Sequence, residues 1–189
     1  NKYVAKKLLS KSLLISNQQS NQVAQMDKNL SQIKTEIYDK CALELSDFKT
    51  ETESKAYNAC RFQLNGMHIL SRNAKITPKK AGQFVTFWKR QKNGPIEPFS
   101  GNDAIDFYVV NVRTEHKFGQ FVFPKSVLIK KGILATENKD GKRAFRVYPH
   151  WDMVKSKQAE RTQKWQLNYF YEISSLTNLQ KVNQLYTNQ

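Results

Sequence analysis

The run IDFYVVNV, residues 105–112, constrains the fold more than any other segment. An apolar stretch of this length, rich in β-branched and aromatic residues, reads as a central strand covered on both faces. A strand of that kind demands a layer of structure on each side of its sheet, and the flanking segments supply candidates. The reading is an α/β (α+β) fold, a central mixed β-sheet flanked by helices.

Residues 1–20 carry Leu8, Leu9, Leu13 and Ile15 near a helical period and predict an N-terminal helical arm. Residues 21–189 then form a single domain. From Val23 to Tyr57 neither Gly nor Pro interrupts a series formed by Met26, Leu30, Ile33, Ile37, Leu43, Leu45 and Phe48. That spacing predicts one long helix, or two with a break near Ser46 and Asp47. The texture then changes to short strands. RFQLN and MHILSRNAK flank an Asn65-Gly66 pair, the strongest short hairpin signal a sequence offers. GQFVTFWKR reads as one strand and GQFVFP as another, with Pro124 ending the ladder because it has no N–H to donate. SVLIKKGIL predicts a short helix stopped at Gly132, and ENKDGKRAFRVYP a Gly-turned hairpin or final strand. The tail after Trp151 reads as a helix capped by Ser156, with Ala159, Thr162, Gln163, Gln166, Tyr169 and Phe170 on one face.

Charge decides the class of partner. The chain has a formal net charge of +15, yet a hydrophobic fraction of 39% with 11 Phe, 8 Tyr and 3 Trp is enough to fold. The basicity therefore sits on a folded surface. Between Arg72 and Lys92 stand seven cations (Arg72, Lys75, Lys79, Lys80, Lys89, Arg90, Lys92) and no acid, interleaved with Phe84, Phe87 and Trp88. Lys and Arg neutralise phosphates and release condensed counterions, while aromatic rings offer stacking to bases. Thr77-Pro78 can open a turn whose N–H groups join Lys75, Lys79 and Lys80 around a phosphate. Further on, GKRAFRVYPHWD brings Lys142, Arg143 and Arg146 beside Tyr148 and Trp151. Strand alternation puts Phe145 and Val147 on the core face and Arg146 and Tyr148 on the binding face. GQF opens two strands, so Gln83 and Gln120 converge on one pocket if those strands are neighbours.

Two cysteines, Cys41 and Cys60, lack metal or redox spacing and read as buried thiols of a cytoplasmic protein. The opening residues, broken by Lys6, Lys7 and Lys11, fit neither a signal peptide nor a membrane span. Asp106 interrupts its apolar strand, where a carboxylate must be paired, hydrated or metal-bound.

The strings RNAKITPKKAGQFVTFWKR, PIEPF, DAIDFYVV, GQFVFPK, GKRAFRVYP and KQAERTQKWQLNYF, in this order from about Glu53 to Phe170, closely resemble the MepB family of small basic bacterial proteins. Some of its members are encoded beside a multidrug efflux pump and its regulator. The resemblance implies a restriction-endonuclease-like fold and a capacity to bind nucleic acid. Nucleases of that fold place one carboxylate on a strand and, on the next, an Asp or Glu followed two positions later by Lys, to hold Mg²⁺ and activate water. Asp106 resembles the first carboxylate, but Gln120 and Val122 stand at the other two positions, with Lys125 three residues on and Glu53 able to add a charge.

The resulting expectation is a nucleic-acid-binding protein, with DNA as partner, that contacts phosphates with low base specificity. Its predicted contacts are Arg72, Lys75, Thr77, Lys79, Lys80, Gln83, Lys89, Arg90, Lys125, Lys142, Arg143, Arg146, Tyr148 and Trp151. The alternative is an Mg²⁺- or Mn²⁺-dependent nuclease with Glu53 and Asp106 as metal ligands and Gln120 and Lys125 beside them. A second alternative is an accessory protein, linked to drug efflux, that binds a partner or a small molecule in a pocket lined by Trp88, Tyr148 and Trp151.

Overall fold

The computed structural model of the chain describes Val4, Lys7, Leu8 and residues 25–187. Apart from those three residues, the segment read as an N-terminal arm lies outside the described residues. A six-stranded mixed sheet organises the fold, in the order β1 (Leu45–Thr50), β2 (Cys60–Leu64), β3 (Met67–Asn73), β8 (Phe107–Arg113), β9 (Phe118–Pro124), β11 (Phe170–Glu172). All its pairings are antiparallel except β3 with β8. β8 is the covered strand its composition predicts. Phe107 and Val109 enter the core on one face, while Tyr108, Val110 and Val112 enter the core on the other. That alternation is the pleat of a strand buried on both sides.

Helices cover the first face. α1 (Lys28–Ile33) continues through a π-turn and a 3₁₀ turn to Cys41, and packs Leu30, Ile33, Ile37 and Tyr38 against the sheet beside Val182 and Tyr186 of α4 (Leu179–Thr187). Asp27 caps α1 by accepting from the N–H groups of Asn29 and Leu30. The long helical series predicted to Tyr57 stops at this point. Ala42 turns the chain with φ 54°, and Leu43, Leu45 and Phe48 belong to the turn and to β1. Ser46-Asp47 is a bulge in β1, where Asp47 has φ 51° and the register with β2 slips.

The second face carries a three-stranded sheet, in the order β10 (Ala144–Val147), β5 (Lys80–Thr86), β4 (Lys75–Thr77), together with α2 (Lys125–Lys130) and α3 (Lys157–Gln166). A hairpin of β6 (Trp88–Arg90) and β7 (Ile96–Pro98) adjoins it. GQFVTFWKR is therefore two strands, split at the fully buried Phe87. ENKDGKRAFRVYP gives the single strand β10, paired with β5, and Phe170 lies in β11 rather than on the last helix. The Asn65-Gly66 hairpin forms as read, with φ 48° and 82° at its two turn residues. Pro124 ends β9 and precedes α2, Gly132 follows α2 with φ 63°, and Ser156 caps α3 by accepting from the N–H of Ala159.

One cation joins the two layers. Arg72 of β3 is 1% exposed; it donates to Glu51 of the β1 end at 3.0 Å and to the carbonyls of Thr86 and Trp88 at 2.8 and 2.9 Å. Its guanidinium also lies 5.1 Å from the centre of the Phe99 ring. Burial lowers its pKa and the Glu51 charge opposes that pull. Replacing Arg72 with Met is expected to cost about 3 kcal/mol in urea denaturation, because it leaves the carbonyls of Thr86 and Trp88 without their donor and Glu51 with Arg61 as its one remaining cation. A loss below about 1 kcal/mol would mean that the layers are held by apolar packing alone.

Candidate functional site

A concentration of unneutralised charge lies between β10 and α3. A groove of about 560 Å³ runs there, with Lys80, Lys131, Lys142 and Arg146 among its lining side chains and no carboxylate. None of these four cations forms an ion pair with a described acid. Tyr148 and Trp165 supply aromatic surface, and Ser156, Gln158 and Ala159 bring the start of α3 to the same groove. The local reasons are clear in the sequence. β10 alternates, so Phe145 and Val147 go into the core and Arg146 stays accessible, as read. Gly82, with φ 76°, leaves room for the Tyr148 ring, since a Cβ there would come within 2.5 Å of it.

Arg146 is preorganised. It donates to the Gly82 carbonyl at 3.0 Å and to the Thr77 hydroxyl at 2.7 Å, with its guanidinium 5.7 Å from the Phe84 ring centre. Gln166 fixes the opposite wall. Its amide donates to the Arg146 carbonyl at 2.9 Å, and its carbonyl oxygen accepts from the Tyr148 N–H at 2.8 Å. Thus α3 is bonded to the outer edge of β10.

Of the predicted contacts, Lys80, Lys142, Arg146 and Tyr148 meet in this groove. Thr77 orients Arg146, Lys75 lies on the same small sheet with its ammonium 4.8 Å from the Tyr57 ring centre, and Lys79 is exposed on the turn between β4 and β5. The others are placed elsewhere. Arg72 is buried in the clamp described above, so it cannot meet a phosphate. Gln83 is 1% exposed, and it does not converge with Gln120, because the two glutamines belong to different sheets. Lys89 pairs with Asp103 and Glu97, Arg90 with Glu53, and Arg143 with Asp140. Lys125 donates to the Asp103 carbonyl, and Trp151 packs edge-on against Phe170 with its indole nitrogen buried. Trp88 and Tyr148 line different clefts, Trp88 with Lys49, Glu53 and Arg61, and Trp151 lines neither.

Lys131 and Trp165 were not singled out from the sequence. The Lys131 ammonium lies 5.1 Å from the Trp165 ring centre, a pairing made only when α2 and α3 meet across the layer. No local pattern announces it.

The nuclease constellation does not assemble. Asp106 accepts from the His68 N–H at 2.7 Å at the β8 entrance, and Glu53 is engaged by Arg90. Gln120 faces Asn111, five residues along β8 from Asp106, or about 17 Å at the rise of a strand. It is fully buried on the helix-covered face. Its oxygen accepts from Tyr171 at 2.7 Å, Tyr186 at 2.9 Å and Tyr38 at 3.2 Å, and its amide donates to Asn111 at 2.8 Å. Asn111 donates onward to Asn73, and Asn73 to Asp27. Burial raises the pKa of all three tyrosines, keeping them neutral donors. The same burial pushes the Cys60 thiol up to about 12. Glu53, Asp106 and Gln120 thus do not fit a common divalent ion, and no cluster of three metal-ligating side chains occurs among the described residues. No helix there is long and apolar enough to cross a membrane.

Replacing Gln120 with Met is expected to cost about 2–4 kcal/mol, since it strands the Tyr171 hydroxyl and the Asn111 amide oxygen and leaves the Tyr38 and Tyr186 hydroxyls only each other, and to leave the affinity for divalent ions unchanged. Calorimetry with Mn²⁺ and urea denaturation of the same variant check this; a lost ion affinity at full stability would return Gln120 to a ligand role.

Comparison with known proteins agrees with this architecture. The family described as MepB-like matches residues 51–172. A crystal structure of MepB is similar with 37% identity and a TM-score of 0.68, over 79% of this chain and 99% of that one. A bacterial homing endonuclease, I-Ssp6803I, aligns with 18% identity and a TM-score of 0.33, over 64% of this chain and 77% of that one. No curated protein matches.

Proposed function

This chain belongs to the MepB-like family, and we propose that it binds nucleic acid through phosphate contacts in the groove between β10 and α3, with little base specificity. The observation that carries the reading is the absence of any carboxylate among the groove's lining residues while Lys80, Lys131, Lys142 and Arg146 crowd it. Four like charges in one concavity repel one another, and a polyanion relieves that repulsion while releasing its own counterions. The N–H groups at the start of α3 add partial positive charge to the same wall. Base readout is not favoured, because the lining presents mobile lysines and the already bonded Gln166 rather than free amides at fixed positions. DNA is the proposed partner. A cytoplasmic location accords with two buried, unpaired cysteines.

Hydrolysis forms no part of the proposal, since the acidic and amide side chains named for it serve as a strand-entrance cap, an ion-pair partner and a core bridge. Anisotropy titrations of labelled oligonucleotides across a salt series test the reading. Affinity is expected to fall steeply with salt, and each of Lys80→Ala, Lys131→Ala and Lys142→Ala to reduce the logarithmic slope by about 0.7–1 at any sequence. Lys89→Ala, whose charge is already paired, is expected to leave the slope unchanged. Failure of both single and duplex strands to bind at low salt would overturn the proposal.

A further inference from the structure

The outer face of the small sheet carries a cation–aromatic row that the groove alone does not explain. Phe84 of β5 stands directly opposite Lys75 of β4 on one side and Arg146 of β10 on the other. Residues paired in this way share a face. Tyr57 completes the row, its ring edge-on to Phe84 at 6.3 Å and its centre 4.8 Å from the Lys75 ammonium. Both rings are half-buried, and Lys75 and the adjoining Ile76 are exposed. The row is continuous with the groove, because Arg146 belongs to both: it lines the one and lies over Phe84 in the other.

We infer that this face is a stacking platform that selects single-stranded nucleic acid, with unpaired bases on Tyr57, Phe84 and the Arg146 guanidinium while the backbone passes into the groove. The inference rests on the phosphate-binding reading of that groove and adds the strand state. Three features point to unpaired bases. A duplex hides its base faces, so aromatic rings placed among cations reward only bases that are free to splay out. The guanidinium of Arg146 is held by the Gly82 carbonyl and the Thr77 hydroxyl, so its flat face is fixed and needs no ordering when a base lands on it. Lys75, in contrast, has no carboxylate partner among the described residues, so it is free to leave the Tyr57 face for a phosphate when a base takes its place. Cation and base thus exchange on one ring.

Anisotropy with a labelled 12-nucleotide single strand and with the duplex of the same sequence tests this in the full chain. The single strand is expected to bind more tightly than the duplex. Tyr57→Leu and Phe84→Leu are each expected to weaken single-strand binding roughly 5- to 100-fold, the range for losing a base–aromatic stack, while leaving duplex affinity and the salt slope unchanged. Phe84→Trp, which keeps an aromatic face, is expected to retain single-strand affinity, and it separates stacking from any damage that Leu does to the sheet. If the duplex binds as tightly as the single strand, or if Leu at either position changes nothing, the platform is overturned while the groove reading stands. If neither strand form binds at low salt, the groove reading itself falls.

Discussion

Arg72 and Glu51 form the contact on which the rest of the molecule depends. A guanidinium that is 1% exposed would ordinarily be an unaffordable charge, and it persists here because a carboxylate and two backbone carbonyls meet it within hydrogen-bond distance. Those carbonyls belong to Thr86 and Trp88, on either side of the point where β5 gives way to β6. The clamp therefore fixes the junction between the central sheet and the layer that carries the cations. Apolar contacts among Phe87, Phe99, Tyr108 and Phe145 add area but little direction, whereas the fork of Arg72 fixes where the second layer sits.

On the opposite face Gln120 does the comparable task with neutral groups. Three tyrosine hydroxyls from α1, β11 and α4 converge on one amide, and the chain of bonds passes through Asn111 and Asn73 to the residue that caps α1. Such a network ties both helices to one register of the sheet, since a shifted helix would strand a buried hydroxyl. It also shows why a polar side chain in a central strand need not serve chemistry. The two faces differ at their centres: an ion-paired guanidinium joins the small-sheet layer to the central sheet, whereas a neutral carboxamide gathers three hydroxyls on the helix-covered side.

Legibility in the sequence followed the range of the interactions. The β8 strand, the Asn65-Gly66 turn, the Ser156 cap and the alternation of β10 are set by neighbours within a few residues, and each reads correctly. Gln120 meets Tyr38 across 82 positions and Tyr186 across 66, so nothing near it distinguishes a core bridge from a ligand. Arg72 sits in a basic segment whose other members are mostly exposed, and only its pairing with Glu51 across 21 positions separates it from them. Ser46-Asp47 was legible as an interruption but not as the bulge of a strand, because Leu43, Leu45 and Phe48 fit helical spacing as well as they fit β1 and its approach. In the groove, Lys80, Lys142 and Arg146 stood out as charges, while Lys131 and Trp165 acquire their place only from the packing of two helices.

Gln166 has a consequence for how copies of the molecule behave toward one another. β10 ends its sheet, and the outward amide and carbonyl of such a rim strand form a template on which a second chain can add. The carboxamide of Gln166 fills one N–H and one C=O of that rim, standing in for the peptide group of a missing neighbour. A polar plug of this sort blocks strand-by-strand growth into assemblies, and it does so within the wall of the basic groove itself.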